Sequence, residues 1–316
     1  MKFFLLSLLL THSVRAEDRR FIFERPLMGT IFTITCHGPD KASANAAADA
    51  AFQRASEINA VASDYIADSE MLKLSGKTGQ SNAISPSLFD LLQRAMHFAR
   101  LTDGSFDPTL GPLTKLWRET RRNGKLPTSS TLESAKNASG YRLLTLDPTA
   151  STVNLTRSGM RLDLGGIAKG YAADAMFEAM KSRGFPATCI AAGGDLRLGD
   201  PPPEKTAWMI GIKNSDKETI SEQVALSNCA VSTSGDLQQY VEIDGVRYSH
   251  IVNPATGLGL INQFVITVIA ADATTSDALA TAACVAGPER AEALALIWGA
   301  IEVRVTKDRL EKSSEK

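Results

Sequence analysis

Apolar and β-branched residues alternate in "IFTITC" (31–36), which predicts a strand. The next run, "KASANAAADAAFQRASEINAVAS" (41–63), is rich in alanine and predicts a helix. "SPSLFDLLQRAMHFARLTDG" (85–104) predicts another, with Ser85-Pro86 as its start and Gly104 as its stop. Its apolar positions 88, 91, 92, 95, 96 and 99 recur at helical spacing, and His97 falls beside that stripe as an ordinary surface histidine.

From residue 142 onward the pattern shortens. "RLLTL", "TVNL", "MRLDL", "ATCIAA", "AWMIGIK", "QVALS", "CAVSTS", "QYVEI", "YSHIV", "FVITVIAA" and "VRVT" read as strands. Helices are predicted at about 167–183, 273–286 and 288–299. Strands and helices do not alternate as a regular repeat, so the fold class is mixed α/β, or α+β. "GDPPPEK" (199–205) is rich in breakers but is only a loop, and no internal repeat is visible.

The N-terminus has its own pattern. Lys2 precedes the apolar run Phe3–Leu10, and Val14 and Ala16 are small residues ahead of a cleavage point. Residues 1–16 read as a cleavable leader, which implies export, and the apolar run is too short to span a bilayer. Cleavage removes Lys2 and Arg15 and leaves 32 basic against 35 acidic residues, a net charge of -3. No second long apolar run follows, so the mature chain is not expected to span a membrane. One domain is expected over 17–306, with a polar tail at 307–316.

Composition narrows the function. The 316 residues are 44% hydrophobic and 22% charged, with a net charge of -1, so no basic field exists to meet nucleic acid. Cys36, Cys189, Cys229 and Cys284 are scattered without metal-ligand spacing, and no disulfide is assigned.

Three segments carry candidate chemistry. "LDLGGIAKGYAADAM" (162–176) has an acid, a glycine pair, a lysine and then a helix. It is not a Walker A loop, because Tyr171 stands where that loop needs lysine, and the G-x-G-x-x-G pattern is absent. Free amides at a helix start, with Lys169 in the first turn, would suit a diphosphate. A plain strand-to-helix turn explains the glycines equally well. In "TTSDALATAA" (274–283), Asp277 and Thr281 are four apart on one helix face, and a carboxylate plus a hydroxyl suits a hard cation. Taken alone, Ser276 or Asp277 reads more simply as a helix cap. In "YSHIVNPATG" (248–257), His250 ends a strand, where it could take a proton from a hydroxyl or sit hydrogen-bonded at a sheet edge.

The order of these segments adds to their content. "RPLMGT", "FDPTLGPLTKLW", "DLGGIAKGYAAD", "GGDL", "SG" followed by "HIVNPATG", and "SDALATA" together resemble the ApbE family of FAD:protein FMN transferases, over nearly the whole mature chain. The resemblance implies an α/β fold related to T-fold proteins, with two subdomains around an FAD cleft. It implies Mg²⁺ held by Asp277, Thr281 and the Gly166 carbonyl. FAD contacts carry over to Met28, Tyr65, Ser105, Phe106, Asp107, Asp163, Lys169 and Ile251. Tyr65 would stack on a ring, and His250 would activate the acceptor hydroxyl. The implied acceptor is a flavoprotein subunit of a membrane electron-transfer complex or an exported reductase, in the bacterial periplasm. With water as acceptor, the same site would be an FAD pyrophosphatase, and without turnover a flavin-binding protein. Two positions depart from the pattern: Ala280, where some members carry an acid, and Ser276, where alanine is usual.

Overall fold

A computed structural model of the chain describes residues 19–213, 220–235, 240–261 and 264–307. The expected leader and residues 308–316 of the expected tail lie outside the described residues.

The described residues open with a hairpin, β1 (Arg19–Leu27) and β2 (Thr30–Gly38), followed by α1 (Lys41–Ala62) and the short α2 (Glu70–Leu74). A middle section holds β3 (Ser81–Ala83), α3 (Pro86–Leu101), α4 (Gly111–Asn123), α5 (Ser129–Asn137), β4 (Leu144–Asp147) and β5 (Thr152–Leu155). Then come α6 (Ala168–Lys181), β6 (Thr188–Ala192), β7 (Asp195–Leu198), β8 (Trp208–Lys213), β9 (Ile220–Leu226) and β10 (Ala230–Gly235). The chain continues through β11 (Tyr240–Ile243), β12 (Val246–Ser249), β13 (Phe264–Ala270), α7 (Ala273–Ala286), α8 (Pro288–Ile297) and β14 (Glu302–Lys307).

Seven strands form one antiparallel sheet in the order β1-β2-β6-β7-β10-β13-β14. Alternation in β2 turns Phe32, Ile34 and Cys36 fully inward. Helices α1, α6 and α7 join them in the main core, with α1 against α6, α6 against α7, and α7 on β10 and β13. The alanine-rich stretch explains the close approach of α1: Ala44, Ala47, Ala48, Ala51 and Ala55 form its buried face. The hairpin β8–β9 supplies Trp208 to a second, smaller cluster with Leu198, Val231 and Ile269. The small sheet β3-β5-β4 and α3 share the main core.

Most predicted elements are present, with two instructive exceptions. "MRLDL" is not a strand. Met160, Leu162 and Leu164 are buried and their neighbours are not, so the alternation is real. Its one lateral neighbour is the segment 108–111 leading into α4, through Gly111 N to Arg161 O (3.2 Å) and Asp163 N to Pro108 O (2.8 Å), and no ladder follows. "YSHIV" stops pairing at Ser249, so His250 lies just beyond a strand. The sequence pattern does not anticipate β1, α2, β3, α4, α5 or β7.

Candidate active site

Several turns gather at one end of the large sheet. Met28 and Gly29 join β1 to β2 with φ of 47° and 75°, a two-residue turn that asks for left-handed backbone at both positions. Gly193, with φ 67°, joins β6 to β7 and donates its N–H to Ile31 O at 3.3 Å. A Cβ on Gly193 would stand 2.9 Å from Thr30 Oγ1, so the "MGT" and "GGDL" turns are in contact. Ser232 on β10 bonds Ser276 on α7 at 2.8 Å, which ties that strand to the helix carrying Asp277.

Helices α6 and α7 cross at this end, and glycine permits it. A Cβ on Gly170 would lie 2.1 Å from the Ala273 carbonyl oxygen. Asp272 caps α7 by accepting from Thr275 N, so neither Ser276 nor Asp277 is the cap. Asp277 is therefore free for other work. Its Oδ2 accepts the Gly170 N–H at 3.1 Å, and Lys169 Nζ stands 3.4 and 3.3 Å from its two oxygens. One turn later, Thr281 Oγ1 would be 2.9 Å from a Cβ on Gly166, so these two residues are side by side.

Lys169 also reaches Asp195 Oδ2 at 2.7 Å. Asp195 and Asp277 are both almost completely buried. Burial, reinforced by the Asp195 charge, pushes the Asp277 carboxyl up to about 6 against the pull of Lys169. Burial works against the Lys169 ammonium, but Asp277 and Asp195 outweigh it and hold it protonated. Among the described residues, no group of three or more His, Cys, Asp or Glu could hold a metal. The oxygens that meet there are the Asp277 carboxylate and, one turn on, the Thr281 hydroxyl, both hard.

The start of α6 is not the open nest of amides that the sequence suggests. Gly165 N–H goes to Asp163 Oδ1 at 2.8 Å, Ile167 and Ala168 N–H go to Leu164 O, and Gly170 N–H goes to Asp277. The positive charge there belongs to Lys169.

A second constellation centres on Arg118 of α4. Its guanidinium pairs with Asp64 and with Asp163 (3.4 Å), and lies 4.4 Å from the centre of the Tyr65 ring. Tyr65 is 78% exposed, a large aromatic face available for stacking. Burial, with repulsion from Asp163, raises the Asp64 carboxyl despite Arg118.

The loop before α4 holds Ser105, Phe106 and Asp107. Phe106 is buried against Phe98, and Asp107 spends its oxygens on Thr109 N and Oγ1 and on Tyr141 N. The side chains of those two residues build the loop, and the main chain and half-buried Ser105 are what it can offer a ligand. His250 and Ile251 are half-buried in the segment after β12. Trp117 of α4 anchors that segment by donating its indole N–H to Ser249 O at 2.9 Å.

The structure thus joins Gly166 to Thr281, Lys169 to Asp277, and Tyr65 to Asp163 through Arg118. Asp195, Asp174, Arg118 and Asp64 are the residues sequence reasoning missed. Asp195 and Asp174 lie inside motifs already singled out, "GGDL" and "GGIAKGYAAD". Arg118 directly follows "FDPTLGPLTKLW" and carries no signal of its own.

Comparison with known proteins covers the same segments. Residues 28–304 match the ApbE family. The chain is 31% identical to the FAD:protein FMN transferase of Vibrio cholerae over 298 residues, 92% of this chain and 89% of that protein. It is 30% identical to the one from Treponema pallidum, over 89% and 82% of the two chains. Among solved structures, the ApbE protein of Thermotoga maritima superposes with a TM-score of 0.84 at 30% identity, covering 92% of this chain and 97% of that one. The flavin transferase ApbE of Vibrio cholerae gives 0.81 at 29% identity, covering 91% and 93%. The matched stretch runs from the strained Met28 turn through both glycine turns and α7 into β14, and the chain belongs to the ApbE family.

Proposed function

We propose that this chain is an FAD:protein FMN transferase. It would move FMN from FAD onto a Ser or Thr hydroxyl of a target flavoprotein and release AMP. The observation that carries the reading is the meeting of two distant segments, 163–170 and 277–281, around buried carboxylates and one ammonium. Relatives that bear this activity by name are similar over nine-tenths of the chain.

The donor set fits Mg²⁺. Asp195 and Asp277 together exceed the charge of Lys169 by one, and a hard cation that takes few protein ligands suits a lone carboxylate with neutral oxygens. Asp277, Thr281 and the Gly166 carbonyl would hold it, and when bound it would supply Lewis acidity and charge neutralisation at the diphosphate.

The chain's own groups have separate tasks. Lys169 offsets diphosphate charge. Tyr65, braced by Arg118, offers its face to a ring of the dinucleotide, and Asp163 accepts hydrogen bonds beside it. His250 takes the proton of the attacking hydroxyl. That oxygen bonds to the FMN-side phosphorus while the bond to the bridging oxygen breaks, and AMP leaves with it. A positioned general base of this kind typically contributes about 10²–10⁴-fold. The leader-like 1–16 supports a periplasmic setting, with an acceptor in a membrane electron-transfer complex or an exported reductase.

The test is mass spectrometry of a candidate acceptor incubated with the enzyme, FAD and Mg²⁺. An FMN-sized adduct on Ser or Thr is expected. Asp277→Ala should abolish it in a folded protein, and His250→Ala should stop transfer while sparing FAD binding. Undiminished transfer by Asp277→Ala would overturn the metal assignment. Equal loss of FAD by His250→Ala would make that histidine a binding residue.

A further inference from the structure

Lys169 stands between two carboxylates with unequal contacts. Its Nζ is 2.7 Å from Asp195 Oδ2 but 3.3 and 3.4 Å from the oxygens of Asp277. The Asp195 contact is short yet lacks the angle of a proper hydrogen bond, so its nearly buried Oδ2 is left without one. The ammonium is thus shared between the two carboxylates, closer to Asp195 in distance but without the hydrogen-bond direction there. Asp277 itself is fixed by Gly170 N–H on Oδ2, which leaves Oδ1 facing Lys169 alone among the described contacts.

We propose that Lys169 is an internal counter-cation for Asp277, and that Asp195 is the dock that receives it when a divalent cation takes Oδ1. The inference rests on the metal reading above. A buried carboxylate without a partner is strongly unfavourable, so the metal-free fold needs a cation at Asp277. Lysine suits a temporary one, being a compact charge on a flexible stem rather than a rigid fork. An ammonium 3.4 Å from Oδ1 must give way to a cation bound there. Pivoting about the 2.7 Å contact with Asp195, away from Asp277, keeps it paired and lets it point an N–H at Asp195 Oδ2, completing the hydrogen bond that the present orientation lacks. Lys169 is then released from Asp277 at the moment a diphosphate needs it. Asp195 acts as a positioning residue, and metal and ammonium compete for Asp277 as linked ligands.

The test is calorimetric titration of the metal-free full-length protein with Mg²⁺, with melting temperatures to confirm folding. Removing the competitor in Lys169→Met should tighten Mg²⁺ binding by about 10-fold, and Asp195→Asn should weaken it by about 10-fold, within the usual range of coupling between sites. The Asp195→Asn loss should shrink in the Lys169→Met background, because the dock acts through the lysine. Should Lys169→Met fail to fold, Lys169→Gln takes its place. Additive effects in the double variant would mean that Asp195 acts only through its field, and the hand-over falls. Unchanged affinity in Lys169→Met overturns it equally. A wild-type protein without any Mg²⁺ response, indistinguishable from Asp277→Asn, overturns the metal reading and the exchange together.

Discussion

Gly170 meets two demands with one atom fewer. A Cβ there would strike the Ala273 carbonyl at 2.1 Å, and its N–H orients the Asp277 carboxylate. The obstacle is backbone, which cannot rotate aside, so Gly170→Ala must push α6 off α7. We expect a loss of about 3 kcal/mol, at the upper end for overpacking. Urea unfolding should show it as a lower midpoint with an unchanged slope. Gly166→Ala meets the Thr281 side chain instead, which can turn, and should cost less stability than Gly170→Ala. Met28 shows the opposite economy. A methionine at φ 47°, in a turn that favours Asn-Gly, is strained by an amount on the order of 1 kcal/mol, and such strain gathers at functional sites.

The decisive joint between elements is α6 to α7, and Asp174 fastens it. From α6 its carboxylate accepts Ala273 N–H (2.9 Å), Thr274 N–H (2.8 Å) and Thr274 Oγ1–H (2.6 Å), while Arg197 of β7 pairs at 3.1 Å with Oδ1, the oxygen that also takes Ala273 N–H. Asp174→Ala would strand these donors at the first turn of α7, at a cost of about 2 kcal/mol. It should also blunt the Mg²⁺-induced rise in melting temperature, although Asp174 is not among the proposed ligands. Thermal melts with and without Mg²⁺ check both effects. This joint was half legible. The helix at 41–63 was legible in its alanines and the one at 85–104 in its apolar spacing and Ser85-Pro86 start; at 273–286 the helix was legible but its cap, Asp272, was not, and Asp277 and Thr281 stood out by their four-residue separation. Asp174 and Asp195 could not be assigned, because their partners lie about 100 and 26 residues away and nothing local marks them. α4 was missed although Gly111-Pro112 and Gly124 bracket it, since its buried face is little more than Leu113, Trp117 and Thr120. "MRLDL" misled because alternation reports burial, whereas a strand also needs a regular neighbour.

At the scale of the whole molecule, the candidate site is built from carboxylates withdrawn from water. Burial raises Asp64, Asp107, Asp174 and Asp277 from the ordinary aspartate value, Asp277 to about 6. The linkage has a definite sign. A raised folded value means that the folded state binds more protons than the unfolded chain, so the stabilising contribution is full below the unfolded value of about 4. It is lost as pH rises through the folded value, which for Asp277 is about 6. Metal-free protein should therefore melt higher at pH 5 than at pH 7.5, the reverse of a protein held together by exposed salt bridges. Asp277→Asn removes the group with the largest of these shifts, so its melting temperature relative to wild type should climb between the two pH values. Saturating Mg²⁺ should raise the wild type more at pH 7.5 than at pH 5, because the cation needs the carboxylate ionised. If the gap between Asp277→Asn and wild type is the same at both pH values, Asp277 does not carry the strain assigned to it, and the burial that makes it a metal ligand is not what sets its charge.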